Sequence, residues 1–113
     1  MGGGTRQEKV AEAIRAAAAD YLIKNLANST PGFITVSKVK MAPDLKLASI
    51  YCSIFGDKEA VEKSFRTLQD HLGRIRYHVG NEVRLKYVPE LRLFLDDTLE
   101  QVVRVNTILS ELE

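Results

Sequence analysis

The chain has 113 residues, 45% of them hydrophobic and 27% charged, with a formal net charge of +1 and a single cysteine. That length predicts one domain, and the apolar content is enough to bury a core without disulfides or metal. The balance excludes a disordered chain, no apolar run is long enough to cross a bilayer, and Cys52 has no partner for an internal disulfide.

With no visible signal peptide, the expectation is a cytoplasmic protein without membrane contact. Met1-Gly2-Gly3-Gly4 reads as a flexible lead, and residues 5–113 as a single domain. Thr5-Arg6-Gln7-Glu8 is a capping box that opens a helix with Val10, Ile14, Ala17, Ala18, Tyr21, Leu22 and Leu26 on one face. Asn28-Ser29-Thr30-Pro31-Gly32 ends it as a loop.

Phe33 to Met41 is rich in β-formers, and Ala42-Pro43-Asp44-Leu45 is a turn in which Asp44 can bond the backbone locally. From Leu47 to Phe55, Ala48, Ile50, Cys52 and Ile54 alternate with Ser49, Tyr51 and Ser53, the period of a half-buried strand. The two strands are predicted to pair as an antiparallel hairpin, with Cys52 a buried, inert thiol.

Asp57 is placed to cap a long helix in which Val61, Phe65, Leu68, Leu72, Ile75 and Val79 share one face. Gly73 sits in its middle, at a cost of roughly 1 kcal/mol relative to Ala in a helix interior. The helix is expected to end near Gly80-Asn81, followed by a short extended piece from Leu85 to Val88. Pro89 belongs at an edge, a bulge or a strand entrance. Leu91, Leu93 and Leu95 alternate with Arg92 and Phe94 as a third strand. After a helical crossover it should run parallel to the second. Asp96-Asp97-Thr98 caps a predicted last helix carrying Leu99, Val102, Val105, Leu109 and Leu112. The order gives an α+β fold with helices on a mixed sheet.

The charge is uneven. Lys63 to Leu93 holds seven basic residues against three acidic, and Phe94 to Glu113 holds five acidic residues against Arg104 alone. A basic segment before an acidic one suggests one surface that faces a polyanion and another that avoids it, although a solvated charged coat gives the same count. Catalytic patterns are sparse: there is no Gly-rich phosphate loop and no serine elbow. His71, His78 and Glu82 share one side of the long helix, but no HExxH-like or Cys/His pattern supports a metal, and none is expected. The four tyrosines do not cluster in sequence as a stacking platform. Tyr77, beside Arg74 and Arg76, is the candidate for a base contact.

Several stretches in order resemble the ribosome-binding factor A family. They are Val10-Ala11-Glu12-Ala13-Ile14-Arg15, Gly32-Phe33-Ile34-Thr35-Val36 and Pro43-Asp44-Leu45-Lys46-Leu47-Ala48. The most specific is Arg84-Leu85-Lys86-Tyr87-Val88-Pro89-Glu90-Leu91, followed by Phe94-Leu95-Asp96-Asp97-Thr98-Leu99-Glu100 and Arg104-Val105. The resemblance covers roughly Val10 to Leu109.

It implies a type II KH-like domain: helix, strand, strand, kinked helix, strand, helix, on a three-stranded mixed sheet. In that family a helix–kink–helix replaces the GXXG loop that clamps a nucleic-acid backbone in ordinary KH domains. The family's kink reads Ala-x-Gly; here His71-Leu72-Gly73 occupies it, so Gly73 is kept and His71 replaces the small residue. On resemblance, the kink is expected at Gly73.

The resemblance further implies a non-enzymatic, cofactor-free factor that binds the small ribosomal subunit and its precursor rRNA. It would assist late maturation of the rRNA 5′ end, especially in the cold. A monomer is expected, although the sequence itself does not say whether the chain dimerises. Arg66, Arg74, Arg76, Arg84, Lys86 and Arg92 would meet phosphates, with Gly73 allowing close backbone approach and Tyr77 a base contact. The ordinary alternative for each cation is a solvated side chain. Two other classes stay open. One is a protein-interaction module using a sheet edge or the last helix. The other is a metal-dependent hydrolase built on His71, His78 and Glu82.

Overall fold

The computed structural model describes residues 5–96. The first helix, α1 (Arg6–Asn25), opens with both halves of the capping box: Glu8 N–H donates to Thr5 Oγ1 at 3.1 Å, and Thr5 N–H donates to the Glu8 carboxylate at 3.2 Å. Its predicted face turns inward, and Ile14, Ala17, Ala18, Tyr21 and Leu22 are buried.

Strands β1 (Phe33–Met41) and β2 (Leu47–Phe55) form the expected antiparallel hairpin, from Phe33 opposite Phe55 to Met41 opposite Ala48. The turn between them is held by Asp44, whose Oδ1 accepts from Lys46 N–H at 3.0 Å. The register shifts between Val36 and Lys38. Ser37 is the extra residue of a bulge there. A side chain's face alternates strictly along a strand, so the bulge inverts it. Ile34 and Val36 before it, and Val39 and Met41 after it, all reach the core side. Lys38 and Lys40 go to the other side.

Helix α2 (Lys58–Asp70) starts on Asp57, whose carboxylate accepts from Ala60 N–H at 2.8 Å. Helix α3 (Leu72–Glu82) follows after one residue, and β3 (Glu90–Leu95) returns parallel to β2, with Ile50 beside Leu93. Pro89 stands at the entrance to β3, where its missing N–H costs no ladder bond. Among the described residues the strand order is β1-β2-β3, with β1 and β3 at the edges. Leu85 to Val88 forms no strand and belongs to the loop between α3 and β3. The helix expected after Asp96, with most of the acidic C-terminal segment, lies outside the described residues.

The three helices of the described residues pack on one face of the sheet. The core joins Ile14, Ala18 and Leu22 of α1 to Ile50 and Cys52 of β2, Leu68 of α2, and Ile75 and Val79 of α3. Cys52 is 1% exposed, and burial pushes its thiol pKa up to about 12. Gly32 marks a tight crossing of chain segments. Its N–H donates to the fully buried Ser64 Oγ at 2.8 Å, and a Cβ there would lie 2.7 Å from Ile54 Cγ2. Only glycine fits between β2 and α2 at that point.

Candidate nucleic-acid interface

The long helix does break, but at His71 rather than at Gly73. His71 has φ −92° and ψ 2°, the bridge conformation, and closes α2 while opening α3. Its N–H is shared between the Thr67 and Leu68 carbonyls, each at 3.1 Å, which tightens the last turn of α2. The interruption costs little burial, because the apolar stripe resumes in phase: Leu68 before it and Ile75 and Val79 after it are all buried.

A tether from α1 explains the placement. The Tyr21 hydroxyl is hydrogen-bonded to His71 Nδ1 at 2.7 Å, and the two rings meet edge to face at 5.9 Å. One helical turn pair later, His78 Nε2 lies 3.1 Å from Asp20 Oδ2. Tyr21 thus packs between two histidines, and both imidazoles are committed to α1. Among the described residues, no group of three His, Cys, Asp or Glu side chains is arranged to hold a metal ion. The hydrolase reading on His71, His78 and Glu82 therefore finds no geometric support there.

Gly73 is the second residue of α3. It is exposed, its φ is not positive, and a methyl group there would meet no atom within 4 Å. The N-terminus of α3 has no side-chain cap. Free N–H groups at a helix start carry partial positive charge and attract anions. Beside them, Gly73, Arg74, Tyr77 and Asn81 of α3 line an open groove with Tyr21 and Asn25 of α1. Tyr77 is 74% exposed, and Arg74 makes no ion pair among the described residues. This groove can accept a phosphate against backbone and guanidinium while offering one aromatic ring to a base.

The other sequence-predicted site residues are spread over the molecule. Arg76 is held: its Nε donates to the Pro89 carbonyl at 3.0 Å and one Nη to the Val88 carbonyl at 2.9 Å. That pair fastens α3 to the entrance of β3. Arg66 lines a separate depression with Val61, Phe65 and Leu95. Arg84 and Lys86 are exposed on the α3–β3 loop, where the Lys86 ammonium lies 5.6 Å from the Tyr87 ring. Arg92 is on the sheet face opposite the helices, 3.7 Å from Glu90. Gly73, Arg74 and Tyr77 are brought together on one groove; Arg66, Arg84, Lys86 and Arg92 do not line it.

The family model described as "Ribosome-binding factor A" matches residues 6–109. A ribosome-binding factor A of Bdellovibrio bacteriovorus is 39% identical over 113 residues, covering 100% of this chain and 84% of that protein. The Geobacter sulfurreducens protein is 37% identical over 108 residues, covering 96% of this chain and 92% of its own. The crystal structure of ribosome-binding factor A from Thermus thermophilus superposes with a TM-score of 0.67 at 21% identity, over 80% of this chain and 97% of that one. A homology model of the Thermus thermophilus factor, fitted into a cryo-electron microscopy map of its complex with the 30S subunit, gives a TM-score of 0.63 at 22% identity. It covers 76% of this chain and 90% of that one.

Proposed function

The chain belongs to the ribosome-binding factor A family, and from that premise we propose that it binds the small ribosomal subunit and its precursor rRNA as a cytoplasmic, non-enzymatic monomer. Bound there, it assists late maturation of the rRNA 5′ end, with its greatest effect in the cold. The observation that carries the reading is the start of α3. A helix N-terminus with no side-chain cap, an open position at Gly73, an exposed Tyr77 and an Arg74 without an ion pair among the described residues lie on one groove.

The physical logic is positioning by charge. Phosphate meets the N–H groups of the first turn of α3, and Arg74 adds a charge-assisted bond. The lack of a side chain at Gly73 lets the RNA backbone come close. Arg84 and Lys86, on the loop that follows α3, extend the positive field along the strand's path, and Arg66 contributes from α2. Arg76 orients this surface by holding α3 to the chain before β3. A relative supports the reading: a homology model of the Thermus thermophilus factor was fitted into a map of its complex with the 30S subunit.

The test is sedimentation of the tagged protein with ribosomal particles from its own cell extract. The reading expects it in the small-subunit and precursor fractions and absent from large subunits. Equal distribution over both subunits, or none on either, overturns the reading.

A further inference from the structure

We propose that the sheet face turned away from the helices is a second nucleic-acid surface, one that takes a single-stranded RNA segment by stacking and phosphate pairing. The proposal rests on the RNA-binding reading for its class of ligand, but it uses the opposite side of the molecule.

The register aligns two rows across the three strands. Lys38, Tyr51 and Phe94 form one row; Lys40, Ser49 and Arg92 form the next. The Tyr51 and Phe94 rings stack at 5.2 Å with 23° between their planes. The Lys38 ammonium lies 4.9 Å from the Tyr51 ring centre and that of Lys40 5.8 Å, so the tyrosine already holds cations against its π face. Phe94, on an edge strand, is 41% exposed. Three cations stand against Glu90, which is 3.7 Å from Arg92.

This combination selects the ligand. Flat aromatic rings fit bases, whose π faces stack without regard to sequence, and flanking cations fit the phosphates between them. The Thr35–Ser53 row separates this stack from the exposed Phe33–Phe55 pair at the far end of the same face, and Ser49 lies on its other side, which breaks up the apolar surface that a protein partner's buried core would need. The Ser37 bulge is what makes the site. Were Ser37 paired in regular register instead of bulged, Lys38 and Lys40 would point into the core and the face would lose two of its three cations.

The probe is a labelled ten-nucleotide oligouridylate, read by fluorescence anisotropy with the full chain. Phe94→Ala is expected to weaken binding about 5-fold or more, the range of one lost base stack. Phe94→Tyr, which keeps a ring, is expected to bind like wild type. Lys38→Ala with Lys40→Ala is expected to flatten the salt dependence. Wild-type binding by both Phe94→Ala and the double lysine variant overturns the proposal. Conversion of a dimer to a monomer by Phe94→Ala also overturns it, because the face then belongs to a second copy. If the oligonucleotide fails to bind while small subunits still do, this surface is refuted and the α3 reading stands.

Discussion

Tyr21 and His71 are joined across two helices by a 2.7 Å hydrogen bond, and His71 is the residue at which the long helix breaks. A tyrosine on α1 is therefore bonded to the one residue where α2 ends and α3 starts. The bond leaves the start of α3 at the mouth of the groove, with Gly73 and Arg74 beside it.

Tyr21→Phe keeps the ring between His71 and His78 but removes the hydroxyl. The expected loss is about 1 kcal/mol, seen as a fall of roughly 4 °C or more in Tm. Thermal denaturation by circular dichroism measures it. An unchanged Tm means that the bond adds no net stability.

Arg76 and Arg74 separate into different duties, although they are two residues apart. Arg76→Ala removes both guanidinium bonds to the Val88 and Pro89 carbonyls and is expected to destabilise by about 1 kcal/mol, discounted for partial exposure. Arg74→Ala should leave stability within about 0.5 kcal/mol of wild type, as for an ordinary surface substitution. Urea denaturation of the two variants distinguishes them. Equal midpoints would show that the Arg76 bonds carry no net weight.

Cys52 gives a pH signature. Burial raises its pKa from the ordinary value of 9.0 to about 12, so the folded state holds a proton that the unfolded state gives up in that window. The unfolded chain binds fewer protons there, so stability is full below about 9 and falls as pH rises toward 12. The slope is at most about 1.4 kcal/mol per pH unit. Cys52→Ala is expected to remove that part of the slope in denaturation curves taken across the range. The native thiol should also label with a bulky reagent no faster than the protein opens.

Gly73→Ala tests the backbone approach. A methyl group there meets open space in a helical conformation, so stability is expected to rise by up to about 1 kcal/mol. Small-subunit affinity is expected to fall, because the methyl group stands where the RNA backbone would come. A gain in Tm with wild-type affinity would place the contact elsewhere.

The alternating strands, the capping residues, the apolar stripe and the parallel return of β3 are all legible in the sequence, because each rests on a local period or on a short-range bond. The position of the break is not. Gly73 has the weakest helix propensity in that region, yet the interruption falls at His71, where a bond from a residue 50 positions away holds the chain. Long-range tethers leave no periodic trace. The same limit hid the duty of Arg76, whose acceptors are carbonyls of a loop with no side-chain signature. It also hid the Tyr51–Phe94 stack, since only the parallel register puts those residues side by side. The Ser37 bulge had a faint signal: the apolar positions Ile34, Val36, Val39 and Met41 change phase once, and only an extra residue reconciles them.

The most direct test of the central claim, that the start of α3 meets the rRNA backbone, is small-subunit affinity measured against salt for wild type and Arg74→Ala. Each neutralised phosphate releases counterions, so wild-type affinity should fall steeply as salt rises. Arg74→Ala should bind more weakly, and its log–log slope should be shallower by about 1, one phosphate contact fewer. A variant with the wild-type constant and the wild-type slope would contradict the account.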